Sequence, residues 1–424
     1  MFITGPFRAC PQCGHPQLGT LSVTGNVHAR RCRNCFYDQK EQLPPLAKKL
    51  IYLDQMVLSG MAKEIDPVRR EKTRRSDAFW LKAFDQIDRL VELQLIVCPN
   101  SPIHEVESSY DDRYESVRKR LYKHLASGVS LRSPHEVRMA QLAEAFDAWL
   151  EDRDPDWGRI TREDVIRGEL DRWSDRLLVT ANLGHLPGEI ERRRKSRDRT
   201  HEAWRQLWER WAAEDEMSIE DFFQRERRGV ADAALQCFRA HIERWHGVTT
   251  GAEVVEDPTQ LMPGWPVQLV SWVLRRLEEE GVPEDGRLQD AACFLYSDQA
   301  LCAPENHLGA LLHASLAWRA RSGQKCPDRG TPNDIAFIAA YLPYCDAMYI
   351  DNPFAQLLSE GRLAAAAKDH PTKIFSKRSQ NSFLEYLYEL EADAEPAHLD
   401  LVVQTYGETW TQPYRSMLEH ERSK

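Results

Sequence analysis

Asp54 and Asp351 each close a short apolar run in this sequence, Glu105 and Glu107 follow another, Asp334 opens the segment before the last run, and Asp346 immediately precedes it. Carboxylates drawn together from distant sequence repel one another. A divalent cation removes that cost, and Mg²⁺ and Mn²⁺ prefer oxygen ligands while keeping several waters. Water bound to such an ion becomes a better nucleophile, and the ion neutralises charge developing on a phosphoryl group. That is the chemistry of phosphodiester hydrolysis. Each acid also has a plainer reading. Asp54 would cap a helix. Thr331 and Asp334 have capping-box spacing with Pro332 at the first helical position. Asp351-Asn352-Pro353 would be a turn. Singly these suffice; jointly they explain less well why acids mark three strand ends.

A second group of ligands lies near the N-terminus, where Cys10-Pro-Gln-Cys13 and Cys32-Arg-Asn-Cys35 form two C-x-x-C pairs. Each pair offers two thiolates from one tight turn, and four thiolates make a closed, structural zinc site. The spacing is among the most specific that a sequence offers. Gly14 follows the first pair, and Gly25-Asn26 sits between two short strand-like runs, so the unit reads as a zinc ribbon. His28 is an available but unneeded replacement ligand. Arg30, Arg31 and Arg33 surround the second pair, either to touch phosphates or as a solvated edge. The other six cysteines are scattered, as small buried hydrophobes are in a reducing compartment.

These ligands need a scaffold. At 424 residues the chain is long enough for two or three domains. Its hydrophobic (42%) and charged (29%) content is that of a globular protein, and the net charge of -10 argues against coating nucleic acid by bulk charge. No apolar run approaches the roughly 20 residues that span a bilayer, and Met1–Arg8 lacks a secretory pattern. A cytoplasmic location is expected, with no membrane partner. After the stiff Leu43-Pro44-Pro45 linker, Leu50–Leu53 reads as a strand buried on both faces. Gln55–Lys63 begins a helix, Phe79–Leu93 has helical spacing, and Leu95–Cys98 is a second strand. That order is a parallel α/β unit. It resumes with a helix from Thr331, strands at Ala347–Ile350 and Lys373–Ser376, and a closing helix at Phe383–Leu390. In such sheets ligands gather at the carboxyl ends of strands, where the acids would meet.

The residues around these acids resemble the motifs of PIN-like nucleases. Tyr52-Leu-Asp-Gln-Met-Val-Leu-Ser59 is similar to the first motif, and Cys98-Pro-Asn-Ser-Pro-Ile-His-Glu-Val-Glu-Ser108 to the second. Asn333-Asp334-Ile-Ala-Phe-Ile-Ala-Ala340 and Asp346-Ala-Met-Tyr-Ile-Asp351 are similar to the third and fourth. The resemblance implies that Asp54, Glu107, Asp334 and Asp351 hold a catalytic Mg²⁺ or Mn²⁺. Glu105 competes with Glu107, which is preferred because His104 precedes it as in PIN-like variants with an H-x-x-E segment. His104 would orient a carboxylate or contact phosphate, or be an ordinary helix-face histidine, the favoured reading. Asp346 would stand behind the ligands. By resemblance alone, the substrate would be RNA in preference to DNA.

The expected fold class is α/β: a PIN-like parallel sheet flanked by helices, interrupted by a large α-helical insertion, with a small N-terminal zinc ribbon. The expected boundaries are 1–47 for the ribbon, 48–109 and 326–395 for the discontinuous core, 110–325 for the insertion and 396–424 for a tail. In the insertion, Glu191–Arg199 is densely basic, and Trp204, Trp208 and Trp211 follow at helical spacing. A basic helix tracks phosphates and aromatics stack on bases, but that spacing is first of all a core stripe. Arg118, Lys119, Arg120, Lys123 and His124 are a second candidate phosphate face. Two competing functions remain: a non-catalytic zinc-ribbon scaffold binding nucleic acid or a protein partner through the insertion, and an aspartyl phosphotransferase. The latter needs a second aspartate where Met56 stands.

Overall fold

The computed structural model describes residues 3–65, 77–102, 104, 115–174, 189–255 and 261–408. Glu105 and Glu107, and the tail from residue 409, lie outside the described residues. The N-terminal unit is an antiparallel sheet in the order β1-β2-β3-β4, made of β1 (Thr4–Arg8), β2 (Leu18–Thr24), β3 (Val27–Cys32) and β4 (Asp38–Gln42). β2 and β3 form the hairpin expected around Gly25-Asn26, with Thr24 opposite Val27 and Gly25 at φ 59°. A positive φ costs glycine nothing, which is why the tight turn falls there.

The second sheet is parallel throughout: β10 (Lys373–Phe375), β9 (Ala347–Tyr349), β5 (Lys49–Leu53) and β6 (Ile96–Val97) lie side by side in that order. β5 leads into α1 (Gln55–Ile65), then α2 (Ala78–Glu92) and β6. The period-two alternation of β5 sends Leu50 and Tyr52 into one core and Ile51 and Leu53 into another, so both faces are covered. Asp77 caps α2, accepting a 3.2 Å hydrogen bond from the Phe79 amide. The helical spacing of α2 then buries Phe79, Trp80, Phe84, Ile87 and Leu90. α1 packs on α2 at Gly60, where an added Cβ would lie 2.7 Å from the Trp80 ring. Alanine favours a helix over glycine by about 1 kcal/mol. The clash with a buried ring that cannot swing away costs about 1–3 kcal/mol. Gly60→Ala is therefore expected to lower unfolding stability in urea by about 1–2 kcal/mol; a gain would show that α1 and α2 are less closely packed.

The chain continues through α3 (Glu115–Ala126), the short antiparallel pair β7 (Ser130–Leu131) and β8 (Ile166–Arg167), and between them α4 (Pro134–Leu150). Ser133 and Glu136 form a capping box on α4, with Pro134 as its first residue. Then come α5 (Glu189–Ala212), α6 (Ile219–Thr249), α7 (Trp265–Glu279), α8 (Glu284–Leu295) and α9 (Pro304–Arg321). Helices α4, α6, α7 and α8 close around Phe146, Val273 and Phe294. Trp204, Trp208, Trp211, Leu308 and Leu311 instead share one continuous core with Leu50, Tyr52 and Met348 of the sheet. The stretch expected as an insertion thus contributes, through α5 and α9, to the core that lies over one sheet face. The three tryptophans are a core stripe and offer no ring for base stacking.

The last part runs α10 (Thr331–Tyr341), β9 (Ala347–Tyr349), α11 (Asn352–Leu357), α12 (Gly361–Lys368), β10 (Lys373–Phe375), α13 (Gln380–Ala392) and α14 (Pro396–Tyr406). α14 lies in the stretch that sequence patterning left without an element, and it anchors the ribbon. Val23, Leu43 and Leu46 pack with Trp173, Val402 and Tyr406. Thr20 Oγ1 donates to the Thr405 carbonyl at 3.2 Å, and Arg30 Nη2 to that of Gln404 at 3.1 Å.

Candidate functional site

Asp54 and Asp351 come to the same edge because β5 and β9 are parallel neighbours in register, Leu53 beside Tyr349. The Asp54 amide donates to the Tyr349 carbonyl at 3.0 Å, continuing the ladder past the strand end. Each aspartate also caps the helix that follows. Asp54 Oδ1 accepts from the Met56 amide at 3.3 Å, and Asp351 Oδ1 from the Phe354 amide at 3.0 Å. Capping therefore orients the same side chains that the sheet brings together. Asp334 sits in the first turn of α10, whose N-cap is Gly330, not Thr331. The capping-box reading of Thr331 and Asp334 does not hold, since Thr331 is itself buried inside the helix.

A fourth carboxylate, Asp328, was not singled out from the sequence. It is exposed in the loop before α10, and its Oδ1 accepts from the Gly330 amide at 2.9 Å. Asp328 Oδ1 and Asp334 Oδ2 crowd the bare flank of Gly330, 3.3 and 3.6 Å from where a Cβ would stand. Burial pushes the Asp54 carboxyl up to about 6; the Met56 and Gln55 amides oppose this, and the like charges of Asp351 and Asp328 add to it. Asp351 is raised by burial, with the Phe354 amide opposing and Asp328 adding. The edge thus concentrates negative charge that no described basic group neutralises at Asp54 or Asp351. Among the described residues, however, only the N-terminal cysteines bring three or more ligand atoms within 4.8 Å of one another. No three described carboxylates of the edge come that close.

The raised value has a sign that can be tested. A carboxyl whose folded pKa exceeds its unfolded value contributes stability below about pH 4, and loses it as pH rises through about 6. With no added Mg²⁺ or Mn²⁺, Asp54→Asn is expected to be more stable than the parent at pH 8, by about 1–3 kcal/mol. Asparagine keeps the cap. The difference should vanish near pH 4, and Mn²⁺ should narrow it at pH 8 by stabilising the parent. Equal denaturation midpoints at pH 8 without metal would show that Asp54 carries no such repulsion.

Asp346 is a correction to the expected acidic group. It precedes β9 where Asp351 follows its end, so it lies at the opposite edge of the sheet. There it accepts from the Leu50 amide at 2.8 Å and pairs with Lys49 at 3.1 Å and Arg162 at 2.9 Å. His104 is buried, its ring stacked between Tyr52 (5.6 Å) and Tyr122 (5.2 Å). Burial pushes its imidazole down to about 3, so it is neutral at pH 7 and in no position to meet a phosphate.

The basic stretches divide. The side chains of Arg118, Lys119 and residues 192–194 lie outside the described residues. His124 pairs with the buried Asp88. On α5, Lys195 and Arg199 are exposed, and Asp198 pairs at 3.1 Å with Arg329, next to Asp328. The basic helix therefore passes beside the loop that carries one of the acids.

The cysteine cluster fits zinc. A tetrahedron with Zn–S bonds of about 2.3 Å has sulfur–sulfur edges of about 3.8 Å. Cys10 and Cys35 are 3.6 Å apart at sulfur, and Cys13 and Cys32 3.7 Å. The Gly14 amide donates to the Cys10 carbonyl at 2.8 Å, closing the first knuckle with Gly14 at φ 75°. His28 is no ligand: it is buried and its Nε2 meets Thr20 Oγ1 at 2.9 Å. The nearby arginines serve the fold, Arg30 on α14, Arg31 on Asp38, and Arg33 on the Ile3 carbonyl and over the Phe7 ring.

No family model matches this chain, and no curated protein or solved structure matches it. What fold and site define is a class by architecture: a mixed α/β protein whose parallel sheet is flanked by helices, with a four-cysteine cluster at its N-terminus suited to zinc. Among the described residues no helix is long and apolar enough to cross a membrane.

Proposed function

We propose that this chain is a metal-dependent nuclease of the PIN-like kind, cutting RNA in preference to DNA. The observation that carries this reading is the meeting of Asp54 and Asp351 at the carboxyl edge of adjacent parallel strands, with Asp328 and Asp334 beside them. Asp54 and Asp351 would hold Mg²⁺ or Mn²⁺ directly. Asp328 and Asp334 would act through its waters, a spacing that suits an ion bound by one or two carboxylates and several waters. The ion would activate water and neutralise phosphoryl charge. Without it the aspartates repel a phosphodiester. The strand would be drawn in by Lys195 and Arg199 on the adjacent helix. The two N-caps fix the aspartates before substrate arrives, which limits the reorganisation needed at the reacting centre. Glu107 or Glu105 would complete the group.

A cytoplasmic setting belongs to the same proposal, since none of the ten cysteines is in a disulfide and four of them are grouped for zinc. The test is incubation of the purified, zinc-loaded protein with single-stranded RNA and DNA, with and without Mn²⁺. Mn²⁺-dependent cleavage that favours RNA is expected. Binding without cleavage under any divalent ion would instead make the chain a non-catalytic scaffold.

A further inference from the structure

Two recesses flank α11, the short helix that starts directly after Asp351. The first, of about 360 Å³, opens at the carboxyl end of β10 and is lined by Asn352, Ser376, Arg378 and Ser379, with no acidic residue in its wall. Arg378 is exposed and forms no ion pair among the described residues; its amide donates to Asn352 Oδ1 at 3.1 Å, and its guanidinium reaches Gln356 Oε1 at 3.4 Å. The second recess, of about 420 Å³, lies between α6, α9 and the α11–α12 corner and shares Gln356 with the first. Trp318 lines it and is 42% exposed, with the Arg321 guanidinium 5.0 Å over its ring. Arg319 and Arg362 are its cations, and each has a carboxylate: Arg319 pairs with Glu360 at 2.8 Å, and Arg362 pairs with Glu220 while sitting 4.7 Å over the Phe223 ring.

We propose that these recesses bind neighbouring units of one single-stranded nucleic acid. A phosphate lies against Arg378 and the serines beside the acidic edge, and an unpaired base lies on Trp318 in the larger recess. The substrate class rests on the nuclease reading; the site itself does not. The order along the edge places the phosphate pocket next to Asp351. One turn of α11, about 6 Å at about 1.5 Å per residue, carries the strand from Asn352 to Gln356 at the mouth of the second recess. A flat base is matched by the exposed indole, on which the Arg321 guanidinium also lies. The recess has the size of a small-ligand pocket. A duplex keeps its bases paired and stacked and cannot present one to Trp318. The inference therefore makes the protein selective for single strands.

The test is fluorescence anisotropy with a labelled oligouridylate of about twelve nucleotides, within single-strand site sizes, and with a duplex of equal length. It is run with zinc-loaded protein and no added Mg²⁺ or Mn²⁺, so that no cleavage intervenes. Trp318→Ala is expected to weaken single-strand binding by about 5- to 100-fold, with an unchanged melting curve. Trp318→Phe should retain most of the affinity. Arg378→Gln should reduce the salt slope of binding by about 0.7, and the duplex should bind more weakly and without regard to Trp318. The proposal is overturned if Trp318→Ala binds as the parent does, if the parent binds no single strand, or if the duplex depends on Trp318 equally. Cleavage is scored separately. Mn²⁺-dependent cleavage indifferent to Trp318 removes this site and leaves the nuclease reading. Trp318-dependent binding without cleavage does the reverse.

Discussion

Asp351→Asn is expected to reduce Mn²⁺-dependent cleavage by about a hundred- to ten-thousand-fold, the loss that follows when a metal's several kcal/mol of charge stabilisation is withdrawn. The substitution isolates charge from shape. Asparagine keeps an oxygen for the Phe354 amide, now 3.0 Å from Asp351 Oδ1, and is as good an N-cap as aspartate. The fold should therefore persist, and loss of a like charge near Asp54 should ease the metal-free protein. Asp346→Asn makes the contrast. Asp346 is only three strand residues away in sequence from the ladder's far end, yet it grips Lys49 and Arg162 at the opposite edge. Removing its charge leaves those cations without their partner and should cost stability, while the cleavage rate per folded molecule stays near that of the parent. Equal loss of cleavage in both variants, with both folded, would count against an acidic site at the carboxyl edge.

Loss of zinc is expected to have the second large effect. The ribbon's own core is little more than Leu18 and the cysteines, and a unit of this size rarely folds unaided. Zinc contributes about 10–16 kcal/mol of apparent folding free energy to peptides of this ligand type at neutral pH. Chelation, or Cys13→Ser, should therefore unfold residues 3–42 while the parallel sheet survives. Native-state hydrogen exchange would show it as lost protection in β2 and β3, with β5 and β9 still protected. Emission spectroscopy should find one zinc per chain before chelation and none after. Protection that persists in β2 and β3 without metal would mean that docking on α14 alone holds the ribbon.

The sequence made some of this legible and not the rest, for physical reasons. The cysteine pairs were readable because ligand spacing is local. The run Leu50–Leu53 announced a strand buried on both faces and Ala347–Ile350 a further strand, and both β5 and β9 are covered on both faces. Asp346 was mistaken because nearness in sequence stood in for direction: in a parallel sheet an acid before a strand sits at the amino edge. Asp328 carries no periodic signal and is found only through the fold. Helices α5 and α9 looked like an insertion because the core they share with Tyr52 and Met348 of the sheet is assembled from residues far apart in sequence. α14 had a readable start and stop, Pro396 at its first turn and Gly407 at φ 88° just beyond its end, but no strong apolar stripe between them.

The bond from Thr20 to Thr405 spans 385 residues. At about 5–20 residues per second, a ribosome needs about 20–80 s to pass from one to the other. The ribbon can take up its metal early in that interval, but Val23, Leu43 and Leu46 have only Trp173 of their later partners to rest against until the chain has been made through Tyr406. For that time the nascent protein carries a greasy face outward, and translation arrested before α14 would leave it so, a target for chaperones and for clumping with its neighbours.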